Sequence, residues 1–323
     1  MKLALLITAH CNAGCTHCST SCGPHRSEHL SREQIFRLID EAAELNGSEK
    51  LRVLLSGGEP FLAFDLLLDV VRHARDKRAI VTCVTNAYWA TSIEKARDLL
   101  RQLKAAGLRS FAISTSRFHQ QFIKRQRVER ALQASRDVGL RCTLKYVRVR
   151  DDSLDERGVR SWATSAGAHD VQDFPLLPHL RAGASAPESS YIRDAGVPTG
   201  TCPGAILTVR EDGRAFTCCT PGAFTTLLQV GHATRDSLRD VNARFHVGGV
   251  QQILRRKGPG EFLEAIRARA QAHRLRSSYA SVCDLCTHIA ADPVLGAIAT
   301  EVADAFEVRQ VSALVESAIT VTC

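Results

Sequence analysis

Apolar positions change rhythm along the chain. "KLALLIT" (2–8) is an unbroken apolar run, the pattern of a strand buried on both faces. "LRVLLS" (51–56), "AIVTCVT" (79–85), "SFAIS" (110–114), "CTLKYVRV" (142–149) and a segment near 171–177 read as further strands. Between them, apolar residues recur at helical spacing in "SREQIFRLIDEAAEL" (31–45), "LLLDVVRHARD" (66–76), "TSIEKARDLLRQLKAAG" (91–107), 127–138 and near 154–166. Ser31-x-x-Gln34 and Thr91-x-x-Glu94 read as capping boxes, and Gly107 and Gly139 as helix stops. Six such units in about 180 residues predict an α/β fold with a parallel sheet or barrel, its chemistry at the carboxyl ends of the strands. The cysteine-rich "CNAGCTHCSTSC", "SGGEP" (56–60), "TNAYW" (85–89) and "STSRFH" (114–119) all fall at such ends.

Residues 1–182 form this barrel unit in the sequence reading. Residues 183–200, "GASAPESSYIRDAGVPTG", have the Gly, Ser, Ala and Pro content of a linker. Residues 201–323 then make a second region. In it "AILTV" and "AFTCC" flank "REDGR" as a hairpin, helices are expected near 249–275, and a last helix begins near Val294.

Composition narrows the function classes. No stretch of eighteen apolar residues predicts a membrane span. The opening apolar run ends at His10 without a small-residue cleavage site, so a buried strand is expected there and a cytoplasmic protein. Twelve cysteines are many for such a chain, but they come in tight groups, which reads as metal ligation rather than disulfides. Cys83 and Cys142 stand apart, mid-strand, as core residues, and Cys323 is terminal. The formal net charge of +8 is spread along the chain without basic blocks, which argues against nucleic acid and suits an acidic peptide or anionic small molecule.

The cysteines at 11, 15, 18 and 22 fit neither paired zinc knuckles nor a closed four-thiolate cluster. Cys11, Cys15 and Cys18 alone leave one iron of a four-iron cluster open, a Lewis-acid position for a chelating ligand. Cys22 would close it and is read as a loop thiol. Gly57 and Gly58 lack Cβ atoms and let backbone approach a ligand, while Glu59 can accept from an ammonium.

C-x3-C-x2-C after the first strand, with Gly57-Gly58-Glu59-Pro60 after the second, resembles the radical S-adenosylmethionine enzymes. The resemblance implies a partial (β/α)6 TIM-like barrel. It also implies a site-differentiated [4Fe-4S] cluster on Cys11, Cys15 and Cys18 whose open iron binds the amino and carboxylate groups of S-adenosylmethionine. Reductive cleavage then yields a 5′-deoxyadenosyl radical that abstracts hydrogen from substrate. Gly57, Gly58, Glu59 and Pro60 would receive the methionine amino group. Ser114 matches a serine that meets the cofactor, Arg181 in "PHLRAG" an arginine near its carboxylate, and Asn86 and Tyr88 lie where relatives carry "TNG", with Ala87 in place of Gly.

Beyond the barrel, a cysteine, a hairpin, a cysteine and a later C-x2-C resemble the twitch domain, the short form of SPASM. It implies one auxiliary [4Fe-4S] cluster on Cys202, Cys218, Cys283 and Cys286. Strand alternation puts Cys218 and Cys219 on opposite faces, so one of the two serves, with Cys218 preferred. Four thiolates suit a structural zinc equally well. A closed auxiliary cluster acts as an electron conduit and favours net oxidation.

The reading is therefore a radical enzyme that oxidatively modifies a residue of a ribosomally made peptide. The alternative is a dehydrogenase or carbon-skeleton enzyme acting on a small molecule such as an aminocyclitol or sugar. A non-catalytic iron–sulfur carrier or zinc-bound regulator leaves "GGEP" unexplained. Expected partners are the substrate and an electron donor such as flavodoxin or ferredoxin. The barrel starts at residue 2, so leader binding falls to a separate protein or to the barrel itself. Tyr88, His119 and Lys145, with Trp89 and Tyr146 nearby, are candidates to line the pocket or act as general bases.

Overall fold

The computed structural model of the protein describes residues 1–321 apart from 154 and 221. Its first half is β1 (Lys2–Thr8), α1 (Arg32–Asn46), β2 (Arg52–Gly57), α2 (Phe64–Asp76), β3 (Ile80–Thr85), α3 (Ile93–Ala106), β4 (Ser110–Thr115), α4 (Arg117–Gln120), α5 (Arg125–Val138), β5 (Arg141–Arg148), α6 (Glu156–Ala166) and β6 (Asp170–Pro175). The six strands pair in parallel in chain order, as a partial (β/α)6 barrel. Alternation sorts each strand. On β5, Cys142, Leu144 and Tyr146 join the core beneath the helices. Thr143, Lys145 and Val147 are only half buried on the other, concave face.

The second half is α7 (Leu180–Ser185), β7 (Asp194–Ala195), β8 (Leu207–Val209), β9 (Arg214–Phe216), β10 (Gln229–His232), α8 (Leu238–Val247), α9 (Gly249–Arg256), α10 (Phe262–Ala268), β11 (Ser278–Tyr279), α11 (Val282–Ala291) and α12 (Pro293–Val321). The expected hairpin is β8–β9, but it does not stand apart. Strand β8 pairs in parallel with the free edge of β1, Leu3 opposite Leu207 and Leu5 opposite Val209. One nine-stranded sheet results, in the order β10-β9-β8-β1-β2-β3-β4-β5-β6. A second core gathers the C-terminal helices around Ile253, Phe262, Leu285, Leu295 and Ala299.

The segment 183–200, linker-like in composition, is tied down. Tyr191 is buried and its hydroxyl donates to Ala182 O at 2.9 Å. Strand β7 pairs with β11, joining this segment to the C-terminal region. Between the halves, Leu238 N at the start of α8 donates to Glu41 Oε2 at 2.7 Å, and Arg37 bridges Glu41 to Ala233 O. Among the described residues no single helix is long and apolar enough to cross a membrane.

Ser31 caps α1 through the expected capping box with Gln34. At α3 the cap lies one residue later than expected: Ser92, not Thr91, accepts from Lys95 N. Thr91 and Ser92 are both good caps, and Glu94 offered a box in the wrong register. Ser92→Ala should therefore cost about 1 kcal/mol in urea unfolding, while Thr91→Ala changes stability by far less. The reverse order would restore the box at Thr91.

Candidate active site

The end of β2 runs against the exit of β1. Gly58 N donates to Thr8 O at 2.6 Å and Glu59 N to His10 O at 2.9 Å. A Cβ on Gly57 would stand 2.4 Å from Thr8 O, and one on Gly58 would stand 2.0 Å from His10 O. Gly57 also has a φ of 128°, which L side chains rarely adopt. Both glycines are thus required by neighbouring backbone. They press β2 onto the segment that leads into Cys11.

Glu59 is likewise held by its neighbours. Its side chain is 0% exposed. Oε1 accepts from Thr85 Oγ1 at 2.7 Å and Phe61 N at 3.1 Å, and Oε2 accepts from Asn86 N at 2.7 Å. Burial pushes this carboxyl up to about 7, against the pull of those donors. The carboxylate braces β2 to β3. Pro60 opens the short 3₁₀ turn that follows and is buried.

Cys11, Cys15 and Cys22 are buried, and Cys18 packs against them in one cluster with Ala9 and Ala13. Asn86 reaches this loop from β3, its Nδ2 at 3.7 Å from Cys11 Sγ and 3.0 Å from Asn12 Oδ1. Ala87 beside it has a φ of 63°, so the turn keeps a glycine-like conformation without a glycine. Thr20 Oγ1 lies 3.4 Å from Cys18 Sγ and 3.0 Å from Cys22 Sγ. Burial raises Cys11 to about 11 and Cys15 to about 12, while a hydrogen bond from Cys22 holds Cys18 well below the usual thiol range. Thiols this dry gain from a metal that takes them as thiolates. Cys22, expected only as a loop thiol, lies inside the same cluster, with its carbonyl gripped by Arg181.

Two buried polar atoms near this loop lack a protein partner: His17 Nδ1 and Arg181 Nε. Buried polar atoms are rarely left so. Arg181 is close enough for its charge to lower both Cys15 and Cys18. His17 stacks on Phe118 at 4.8 Å and meets His119 edge-on at 4.5 Å. A thiol triad ringed by unfilled donors and acceptors fits a metal centre with a polar cofactor upon it.

Other candidates separate. Tyr88 spends its hydroxyl on Phe61 O at 3.2 Å, and Arg127 binds its carbonyl. His119 Nδ1 pairs with Ser116 Oγ at 2.8 Å, and burial drives the ring's pKa well below the usual value, so it is neutral. Ser114 and Lys145 are opposite one another in the β4–β5 register, half buried on the concave face.

Residues 5–159 match the family described as the Radical SAM superfamily. The chain belongs to the radical S-adenosylmethionine superfamily. Such enzymes use S-adenosylmethionine and a four-iron cluster. YydG of Bacillus subtilis (strain 168), named for peptide biosynthesis, is 21% identical over 295 residues, 88% of this chain and 90% of its own. The AdoMet-dependent heme synthase of Methanosarcina barkeri (strain Fusaro / DSM 804) is 31% identical over 115 residues, 35% of this chain and 30% of its own. Among solved structures, native anSMEcpe with bound AdoMet superposes with a TM-score of 0.54 at 14% identity, over 74% of this chain and 80% of that one. BtrN with AdoMet and 2-DOIA gives 0.50 at 15% identity, over 80% and 89%. These two likenesses show the fold.

A second cavity of this radical SAM protein is lined by Cys202, Cys218, Cys283 and Cys286. Cys218 and Cys219 follow β9 rather than lying in it, yet they diverge: Cys218 faces the cavity and Cys219 is exposed. Desolvation raises the Cys219 thiol and the charge of Lys145, from the concave face of β5, lowers it, while Cys219 itself bears on Cys218 and Cys283. Cys283 and Cys286 sit in the first turns of α11, whose cap is Ser281. Among the described residues no three thiol, imidazole or carboxylate groups converge tightly enough for one metal ion. A cavity lined by four cysteines can take a four-iron cluster, with one thiolate per iron, or a tetrahedral zinc.

Sequence reasoning passed over His17, Thr20, His179, Thr220, Arg255 and Asp284. His17 and Asp284 carried a signal, each lying inside a C-x2-C step. Glu59→Gln turns an amide NH2 toward a donor inside the β2–β3 brace and should cost about 1–3 kcal/mol in urea unfolding. Unchanged stability with weakened S-adenosylmethionine binding would return Glu59 to the ligand.

Proposed function

We propose that this radical SAM enzyme modifies a residue of a ribosomally made peptide. The observation that carries the reading is the match to YydG along nearly the whole of both chains. The concave face adds support: exposed Phe174 and Gln172 on β6 adjoin Val147 and Lys145, an open edge able to take an extended chain with its side chains. The small-molecule alternative leans on likeness to BtrN, which reaches no further than fold. A cytoplasmic site of action and a flavodoxin- or ferredoxin-class electron donor belong to the same proposal, as does leader binding by a separate protein or by the barrel.

Cys11, Cys15 and Cys18 hold the cluster at which S-adenosylmethionine supplies a hydrogen-abstracting radical. Arg181 Nε is free to meet a carboxylate, and the Gly57–Pro60 turn offers backbone groups to the cofactor. Cys202, Cys218, Cys283 and Cys286 hold an auxiliary four-iron cluster, in a twitch-type region spanning 201–323, which supplies a one-electron acceptor or donor. Net oxidation removes a hydrogen atom, a proton and an electron from the peptide.

Cys219 favours a second outcome. It is exposed and outside the auxiliary cavity, and the charge of Lys145, a residue of the concave face, reaches it. A thiol there gives a hydrogen atom to a substrate carbon radical: the S–H bond breaks and a C–H bond forms. The sulfur then regains an electron from the donor protein and a proton from solvent. The peptide keeps its formula, with the carbon centre reset.

Mass spectrometry of a co-expressed candidate peptide separates the two. Oxidation makes a product lighter by two hydrogens, unaffected by Cys219→Ala. Hydrogen return makes a product of unchanged mass that gains one deuterium in D2O, and Cys219→Ala abolishes that incorporation. In both cases Cys15→Ala ends 5′-deoxyadenosine formation. Turnover of an aminocyclitol or sugar with no peptide modified would overturn the proposal.

A further inference from the structure

We infer that Thr220 and Arg255 raise the reduction potential of the auxiliary cluster, Thr220 through hydrogen bonds to ligand sulfur and Arg255 through its charge. The inference rests on the reading that Cys202, Cys218, Cys283 and Cys286 hold that cluster.

Thr220 is placed to act twice on one sulfur. Its backbone N lies 3.1 Å from Cys218 Sγ, and its hydroxyl oxygen lies 2.9 Å from the same atom. With Cys218 as a thiol, the S–H donates to that hydroxyl. With the sulfur bound to iron, the proton must come from the threonine side, so both contacts become donations to sulfur. The same hydroxyl also reaches Cys283. Arg255 lines the cavity and is fixed there. Its Nη2 donates to Phe245 O at 2.6 Å, Nη1 lies 3.4 Å from His246 Nδ1, and the guanidinium stacks 4.2 Å over the Phe245 ring. It is near enough to feel the charge of Cys202. A guanidinium stays protonated at any working pH.

The surroundings make these contacts count. Much of the lining is apolar, with Pro203, Leu228, Leu254 and Val282 among it, so few polar groups compete. In such a medium, donors to sulfur and a nearby cation stabilise the more negative, reduced cluster. The opposing charge is Asp284, between the two cysteines of α11. That carboxylate is spent elsewhere: Arg276 Nη2 donates to it at 2.7 Å, Ala280 N at 2.9 Å, and His179 Nε2 lies 3.1 Å away. The balance at the cluster falls to Thr220 and Arg255.

The test is an anaerobic redox titration of the reconstituted full-length protein followed by EPR. Added S-adenosylmethionine shifts the signal of the site-differentiated cluster and leaves the auxiliary signal distinct. Thr220→Val, which loses the hydroxyl and keeps the backbone N–H, should lower the auxiliary midpoint, and Thr220→Ser should restore it. Arg255→Met should lower it as well, with Arg255→Lys recovering part of the shift. The midpoint of the other cluster should not move. Unchanged auxiliary midpoints in Thr220→Val and Arg255→Met, with iron content intact, overturn the inference alone. A wild-type protein with about four irons and no second EPR signal, rather than about eight, sinks the auxiliary-cluster reading and this inference with it.

Discussion

Both halves of the molecule hang on one strand. β1 is paired along both edges, to β2 on one side and β8 on the other, and Leu3 to Ile7 are buried on both faces. That double demand explains why "KLALLIT" carries no polar alternation. It also gives the strand two tasks. Its end delivers the chain into Cys11, and its outer edge holds the hairpin that leads to Cys218 and Cys219. Each fully buried leucine there is worth about 1.5–3 kcal/mol of apolar burial. The radical site and the second cysteine site are therefore parts of one sheet, not beads on a linker.

The position of the cysteine loop follows from that strand through backbone contacts. Gly57 and Gly58 let β2 close on Thr8 and His10 to distances that a Cβ would forbid. Glu59 turns the corner inward and ties it to Thr85 and Asn86, and Asn86 touches Cys11. One chain of contacts thus runs from the sheet to the first thiol. The conformation of Ala87 shows the same priority, since the turn is held even where its residue disfavours it. Rigid backbone supports the loop, and beside it His17 Nδ1 and Arg181 Nε are left without protein partners.

Much of this was legible in the residues. The barrel strands and helices fall within two or three residues of their hydrophobic runs, because both periods are strong and the connections short. Ser31 declared its cap, whereas Thr91-Ser92 offered two, and only the fold chose. The docking of β8 on β1 was not legible. A three-residue strand has no period, and its partner lies some two hundred residues away in the chain. Residues 183–200 misled through composition: small and polar residues suggested a free linker, while Ser190 and Tyr191 are buried. The glycines of "GGEP" told of a close backbone approach but not that Thr8 and His10 make it, since sequence shows what a residue permits and not what approaches it.

The adjacent cysteines bring these threads together. Just past β9, Cys218 and Cys219 diverge, one into the cavity and one to the surface. Cys218 turns to an apolar cavity with Cys202, Cys283 and Cys286, with Thr220 at its sulfur. Cys219 turns out toward the face where Lys145 stands. The hairpin that β1 holds thus presents one sulfur to the cysteine-lined cavity and the next outward, one residue apart. That proximity is built by a strand pairing, which is why the sheet and the chemistry cannot be altered separately.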